Sequence, residues 1–258
     1  MNNNTDSHNE AHNETSIQQA SKTEQKTEPQ TKKPSMNKLL IDMVFSIFIP
    51  VLVLRKFSGE DSLGPTYALV VALAFPLAIG IYEFIKDKKV GLVPSIGFIS
   101  TLLTGGIGVL QLPKEYIAIK EALVPLGFGV AVLLSTFTKS PLVKTFIYND
   151  MVMETEKVAD KVSEIGKEAE FNKIMKTATW ILAASFLLSS VLNYALAKFL
   201  IVSETGTEAF NQELSTMTLW SYPVIVVPSM VVTLYAMYFV INRILKMTGF
   251  TLEEIMRT

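Results

Sequence analysis

Six long apolar stretches, separated by short polar segments, follow a polar tail of 38 residues. They lie near Leu39–Phe57, Thr66–Ile85, Val93–Leu112, Ile117–Thr136, Thr177–Val202 and Met217–Asn242. A helix that crosses the hydrocarbon core of a bilayer needs about 20 mostly apolar residues, and most of these stretches have that length. In lipid every backbone polar group must pair internally, which leaves helices or a closed barrel. Continuous apolar runs without period-2 alternation exclude the barrel. The pattern predicts an all-α integral membrane helical bundle of about six transmembrane helices. Its predicted parts are a tail over 1–38, a four-helix membrane region over 39–136, an amphipathic helical segment over 137–176, two further spans over 177–242 and a C-terminal tail over 243–258.

Lys and Arg collect on the cytoplasmic side of membrane proteins. With the N-terminus inside, eighteen of them fall on the cytoplasmic side, against Arg55, Lys56, Lys114 and Lys198 outside. Lys120 falls within the fourth span. The asymmetry predicts an even number of spans with both termini inside. The tail lacks the apolar core of a signal peptide, so no cleavage is expected. Its Asn, Thr, Gln, Ser, Glu and Lys bury too little apolar surface to offset chain entropy, which predicts disorder. It also holds both histidines, His8 and His12. Their i, i+4 spacing suits a metal only on a helix, so a low-complexity composition is the plainer reading and no metal site is expected.

Prolines fall inside the spans at Pro50, Pro76, Pro125, Pro223 and Pro228, each freeing a carbonyl that neighbours must accommodate. The third span is rich in small residues, which let membrane helices approach closely. Gly97, Thr101 and Gly105 form one i, i+4 stripe, Ser100, Thr104 and Gly108 a second, and Gly106 lies between. These glycines predict helix packing on both sides of a central span. The shared Pro-Leu-x-x-Gly at Pro76 and Pro125, 49 residues apart, suggests a duplicated hairpin. A second, shorter echo relates Phe171-Asn172 to Phe210-Asn211. Between the fourth and fifth spans, Met151 to Lys173 reads as one amphipathic helix with Val158, Val162, Ile165 and Ala169 on its apolar face. It either rests on its own bundle or offers a docking surface to a partner helix.

Candidate chemistry is sparse. Cysteine is absent, the membrane part has no histidine, and no nucleotide, metal-hydrolase or nucleophile-elbow motif occurs. No catalytic residue and no cofactor are expected, and the chain reads as no enzyme. Four ionisable residues lie in or beside spans, where charge is costly and often functional. Asp42 and Glu83 lie toward the cytoplasmic side, close enough to the interface to pair with flanking lysines. Lys120 and Glu121 lie toward the outer side, near Arg55, Gln111, Lys114 and Glu115. As neighbours in a helix they point about 100° apart and call for separate partners. Asn193 is a candidate for a hydrogen bond between helices. Trp180, Trp220, Tyr194, Tyr222, Tyr235 and Tyr238 read as interfacial belts and packing groups.

Thr104-Gly105-Gly106 with Leu110, then Lys120, then Ser135 with Lys139-Ser140-Pro141-Leu142, together with the mid-span Pro50, resemble a small bacterial inner-membrane family. It is intracellular septation protein A (YciB-like) with its longer relatives, and the resemblance covers residues 39–145. Spans 5 and 6 and the polar tail depart from the short form of that family. The resemblance implies a multi-pass protein of the bacterial inner membrane that helps maintain envelope integrity and interacts with cell-division or cell-elongation membrane proteins; membrane lipids are expected as further partners. It makes Gly105, Gly106, Lys120 and Pro141 the positions to test. The rival expectation is a small transporter or lipid-handling protein that takes a small anion or lipid near Lys120. No nucleic acid is expected as a partner.

Overall fold

The computed structural model describes residues 43–87, 92–138, 142–143, 147–149 and 153–256, all within one compact unit, Asp42–Thr258. The tail and Asp42 lie outside the described residues. Helix α1 (Ile49–Lys56) is entered through a π-turn at Val44–Phe48 and is followed by α2 (Gly64–Asp87), α3 (Leu92–Val109) and α4 (Glu115–Ser135). A short helix, α5 (Thr155–Glu164), leads to the long α6 (Glu168–Leu200). Helix α7 (Glu208–Ser221) runs through a second π-turn, Tyr222–Val226, into α8 (Val227–Thr248), and α9 (Leu252–Ile255) closes the chain.

Among the described residues, four helices are long and apolar enough to cross a membrane: Gly64–Lys86, Glu115–Ser135, Glu168–Leu200 and Glu208–Thr248. Ser95–Val109 is apolar but shorter. The two long helices exceed the predicted spans. At 1.5 Å per residue, the 33 residues of Glu168–Leu200 reach about 50 Å and the 41 of Glu208–Thr248 about 60 Å. Both continue past an apolar stretch into charged sequence that favours helix equally well.

The two π-turns have a common cause. Proline has no N–H, and its ring collides with the carbonyl four residues back. Pro50 and Pro228 each stand two residues after a π-turn, so the carbonyls they would strike, those of Ser46 and Val224, lie within the widened turns. The N–H of Ile49 instead reaches the Val44 carbonyl, and that of Val227 the Tyr222 carbonyl. One extra residue per turn thus absorbs each ring. Pro76 and Pro125 sit inside α2 and α4, whose helical runs continue through them.

Packing gathers into two main cores. At one end, called here the loop end, Phe210 is fully buried among Leu54, Leu69, Ile107, Ile117, Ala197 and Leu214, which joins α7 to α1, α2, α3, α4 and α6. At the other, the cap end, Val158 and Val162 of α5 pack with Ile147, Met153, Phe171, Met175, Val240, Ile244 and Ile255. Phe171 and Phe210 thus anchor opposite cores from the first turns of α6 and α7. The cap is latched by backbone pairing of Met153 with Met256 and by the Glu154 N–H donating to the Ile255 carbonyl at 2.8 Å. The apolar face of α5 is therefore used inside the chain. The predicted single helix over 151–173 is divided instead, because Gly166 adopts φ +63° between α5 and α6.

The predicted central position of the third span is corrected. Helix α3 packs mainly on α2 and less on α4, whereas the most extensive helix pair is α4 with α6. A Cβ on Gly105 would meet Leu73 at 3.1 Å, and one on Gly108 would overlap Leu69 at 2.2 Å, with Phe210 at 3.5 Å. A Cβ on Gly97 or Gly106 would meet nothing within 4 Å among the described residues. Thr101 and Thr104 donate to the Gly97 and Ser100 carbonyls of their own helix, so they add no bond between helices. A glycine on α4, Gly129, provides the close approach there: a Cβ on it would lie 3.2 Å from Phe186 of α6.

Candidate functional site

Lys120 is the one charged side chain buried among the described residues. It lies five residues into α4, about 7.5 Å along the helix from Glu115. Its ammonium sits 2.5 Å from a carboxylate oxygen of Glu121 and donates to the Ser100 hydroxyl of α3 at 3.3 Å. The expectation of separate partners is thus corrected. The two Cβ directions do diverge, but a four-carbon lysine stem and a two-carbon glutamate stem bend far enough to meet beside the helix. Pairing is the cheaper outcome because an ammonium alone in an apolar bundle keeps the whole desolvation penalty. Glu121 retains partial exposure, at 23% of its side chain. Glu83 lies one turn before the end of α2, on a different helix from this pair.

A second polar node joins α1, α2 and α7. Asn211 is 1% exposed and donates from its amide nitrogen to the Ser58 hydroxyl at 2.9 Å and to the Pro65 carbonyl at 2.7 Å. Ser58 in turn donates to the Leu54 carbonyl at 2.7 Å. The Asn211 amide oxygen is buried with no partner among the described residues. About one turn further along α7, Arg55 donates to the hydroxyls of Ser215 and Thr216, both at 3.2 Å. This node was missed in the sequence as a site, although its signal was present. Phe210, Asn211, Leu214 and Ser215 share one buried face at i, i+1, i+4, i+5, so two polar residues ride on an apolar stripe.

Asn193, expected to bond between helices, donates to the Ser189 carbonyl of its own helix at 2.8 Å. On α6 the bonds to neighbouring helices come from serines instead. Ser190 of α6 donates to the Ala122 carbonyl of α4 at 2.8 Å, and Ser185 donates to the Ser229 carbonyl of α8 at 2.9 Å. The aromatic residues Trp180, Trp220, Tyr194, Tyr222, Tyr235 and Tyr238 are all exposed, the placement a lipid-facing belt requires.

The loop end is held together through side chains. Glu213 accepts from the Val202 and Ser203 amides at 2.9 Å each and from the Ser203 hydroxyl at 2.7 Å. Thr205 donates to the Leu112 carbonyl at 2.7 Å. Lys114 donates to the Val202 carbonyl and pairs with Glu204 at 3.4 Å. Gly206, at φ +81°, lies so close to Gln111 that a Cβ would approach it to 2.9 Å. Between the α3–α4 and α6–α7 loops lies a half-open cleft of about 190 Å³. Lys114, Glu115 and Lys198 are its charged walls. No group of three or more His, Cys, Asp or Glu side chains gathers among the described residues.

No family matches this chain, and neither a curated protein nor a solved structure does.

Proposed function

We propose that this chain is a non-enzymatic, multi-pass protein of the bacterial inner membrane that contributes to envelope integrity or septation through lipid or protein contacts. In this reading it crosses the membrane six times with both termini inside, the segments around α1 and α3 completing the four longer spans. The observation that carries the reading is the Lys120–Glu121–Ser100 cluster, in which the buried charge is neutralised where it stands. A charge satisfied by its sequence neighbour and an adjacent hydroxyl acts as a structural clamp between α3 and α4. Resemblance to the septation family over residues 39–145 supports the envelope role. Of the two readings of the α5 face, the one in which it rests on its own bundle fits, since the chain itself fills it, so contact falls to the outward surfaces of the spans and loops.

Complementation tests this. Cells lacking the protein take up an otherwise excluded dye or misplace septa, and both the wild type and the double variant K120M/E121L restore them. Loss of rescue by a double variant that is inserted and folded defeats the clamp reading and favours a second one, a small transporter or lipid-handling protein. A protonatable pair within a span, bridged to a neighbouring helix, is the observation that favours it. In that case E121Q alone abolishes function in a folded protein.

A further inference from the structure

The cleft at the loop end has a chemistry of its own. Ala118 of α4 and Ala197 of α6, both buried, let the two helices meet and form its floor. Its 190 Å³ equals about six molecules of liquid water, enough for a polar group of several heavy atoms. Lys114 is committed to Glu204 and to the loop backbone. Lys198 and Glu115 are not: neither has a hydrogen bond or ion pair among the described residues. They face one cleft from two helices, yet stand more than 4.0 Å apart. One free cation and one free anion held apart are complementary to a zwitterion.

Depth along the helix points to which zwitterion. Between Lys176 and Lys198, α6 carries 21 residues without a charge. They span about 32 Å, the thickness of a hydrocarbon core. Lys198 then lies at headgroup level. Below it on the same helical face, at i−4 and i−7, Tyr194 and Val191 are exposed and offer an apolar track for acyl chains.

We propose that this cleft binds the headgroup of phosphatidylethanolamine, with the lipid phosphate against Lys198 and the primary ammonium against Glu115. A primary ammonium donates hydrogen bonds to a carboxylate, whereas the quaternary ammonium of choline has none to give. The inference rests on the reading of the chain as one that works through lipid contact. That reading fails by a separate route, when a complementing protein purifies with no lipid and no partner.

The test uses full-length protein in nanodiscs of equimolar phosphatidylethanolamine, phosphatidylglycerol and phosphatidylcholine, with retained lipid counted by native mass spectrometry. One phosphatidylethanolamine per chain is expected, preferred about tenfold over phosphatidylcholine, the ratio that about 1.4 kcal/mol supplies. K198Q lowers that retention about tenfold. E115Q erases the preference over phosphatidylglycerol. Thermal unfolding verifies that both variants are folded, since both side chains are unpaired and neither change removes a contact. Equal retention by the wild type and both variants overturns the proposal, as does a wild type that selects phosphatidylglycerol or retains no lipid. Protection of the detergent-solubilised protein by inorganic phosphate to the same extent as by the lipid also overturns it, marking a plain anion site.

Discussion

Removing Glu121 while leaving Lys120 in place is the perturbation with the largest effect expected from a single charge. The ammonium and carboxylate are 2.5 Å apart. At an effective dielectric constant of 20 their gross attraction is about 7 kcal/mol. Desolvation of both groups cancels much of this, and removing one partner of a buried pair costs about 3–5 kcal/mol because the other is left charged and unpaired. Glu121 is partly exposed, Ser100 still accepts from the ammonium, and the lysine stem can stretch toward the loop end about 7.5 Å away. These three routes of relief bring the expected cost of E121A below that range, to about 2–3 kcal/mol. The double variant K120M/E121L removes both charges and keeps apolar volume, so it is expected to unfold within about 1 kcal/mol of the wild type. Unfolding titrations in mixed detergent micelles measure both. An E121A cost below about 0.5 kcal/mol, or a double variant as damaged as the single one, refutes the pairing as the reason for this geometry.

Three further outcomes follow from individual contacts. N211A removes two donated hydrogen bonds and leaves the Pro65 carbonyl without its donor, an expected loss of about 2–3 kcal/mol in the same titration. G108A forces Leu69 to move and is expected to cost about 1–3 kcal/mol, while G97A and G106A, with open space, stay within about 0.5 kcal/mol of the wild type. At the cap end, hydrogen bonds from the Thr251 backbone and hydroxyl, with Lys157 nearby, hold the exposed Glu254 carboxyl below its ordinary range. A lowered folded pKa gives stability that is present above the ordinary glutamate range and lost as pH falls through the folded value. Protection of the Glu154 amide, which bonds to Ile255, measured relative to its intrinsic exchange rate at each pH, is therefore expected to fall in that acid window, and E254Q to flatten the dependence.

Four long apolar helices were legible because twenty apolar residues in a row have few other uses. Their ends were not. Helix α6 starts at Glu168, nine residues before the apolar stretch, because Glu168, Glu170, Lys173 and Lys176 are good helix formers that hydropathy scores as loop. The break at Gly166 was invisible to an apolar periodicity that runs on through it. The glycines of α3 announced close packing without naming the neighbour, so Gly105 and Gly108 found α2 while Gly97 and Gly106 found none among the described residues. Of the candidate site, Lys120 was legible as an ionisable group within a span. Its partner was assigned elsewhere because Cβ directions were considered without the length of the side chains. Asn211 and Ser58, 153 residues apart, meet only once the bundle is assembled.

The central claim is that this protein acts through what it touches in the membrane. Purifying the tagged full-length chain from native membranes in mild detergent, and identifying every protein and lipid that stays with it, measures this directly. The account predicts a stoichiometric envelope or division protein, or one defined lipid, retained by wild type and K120M/E121L alike. A chain that restores the envelope in cells yet purifies alone, with neither partner nor defined lipid, would contradict it.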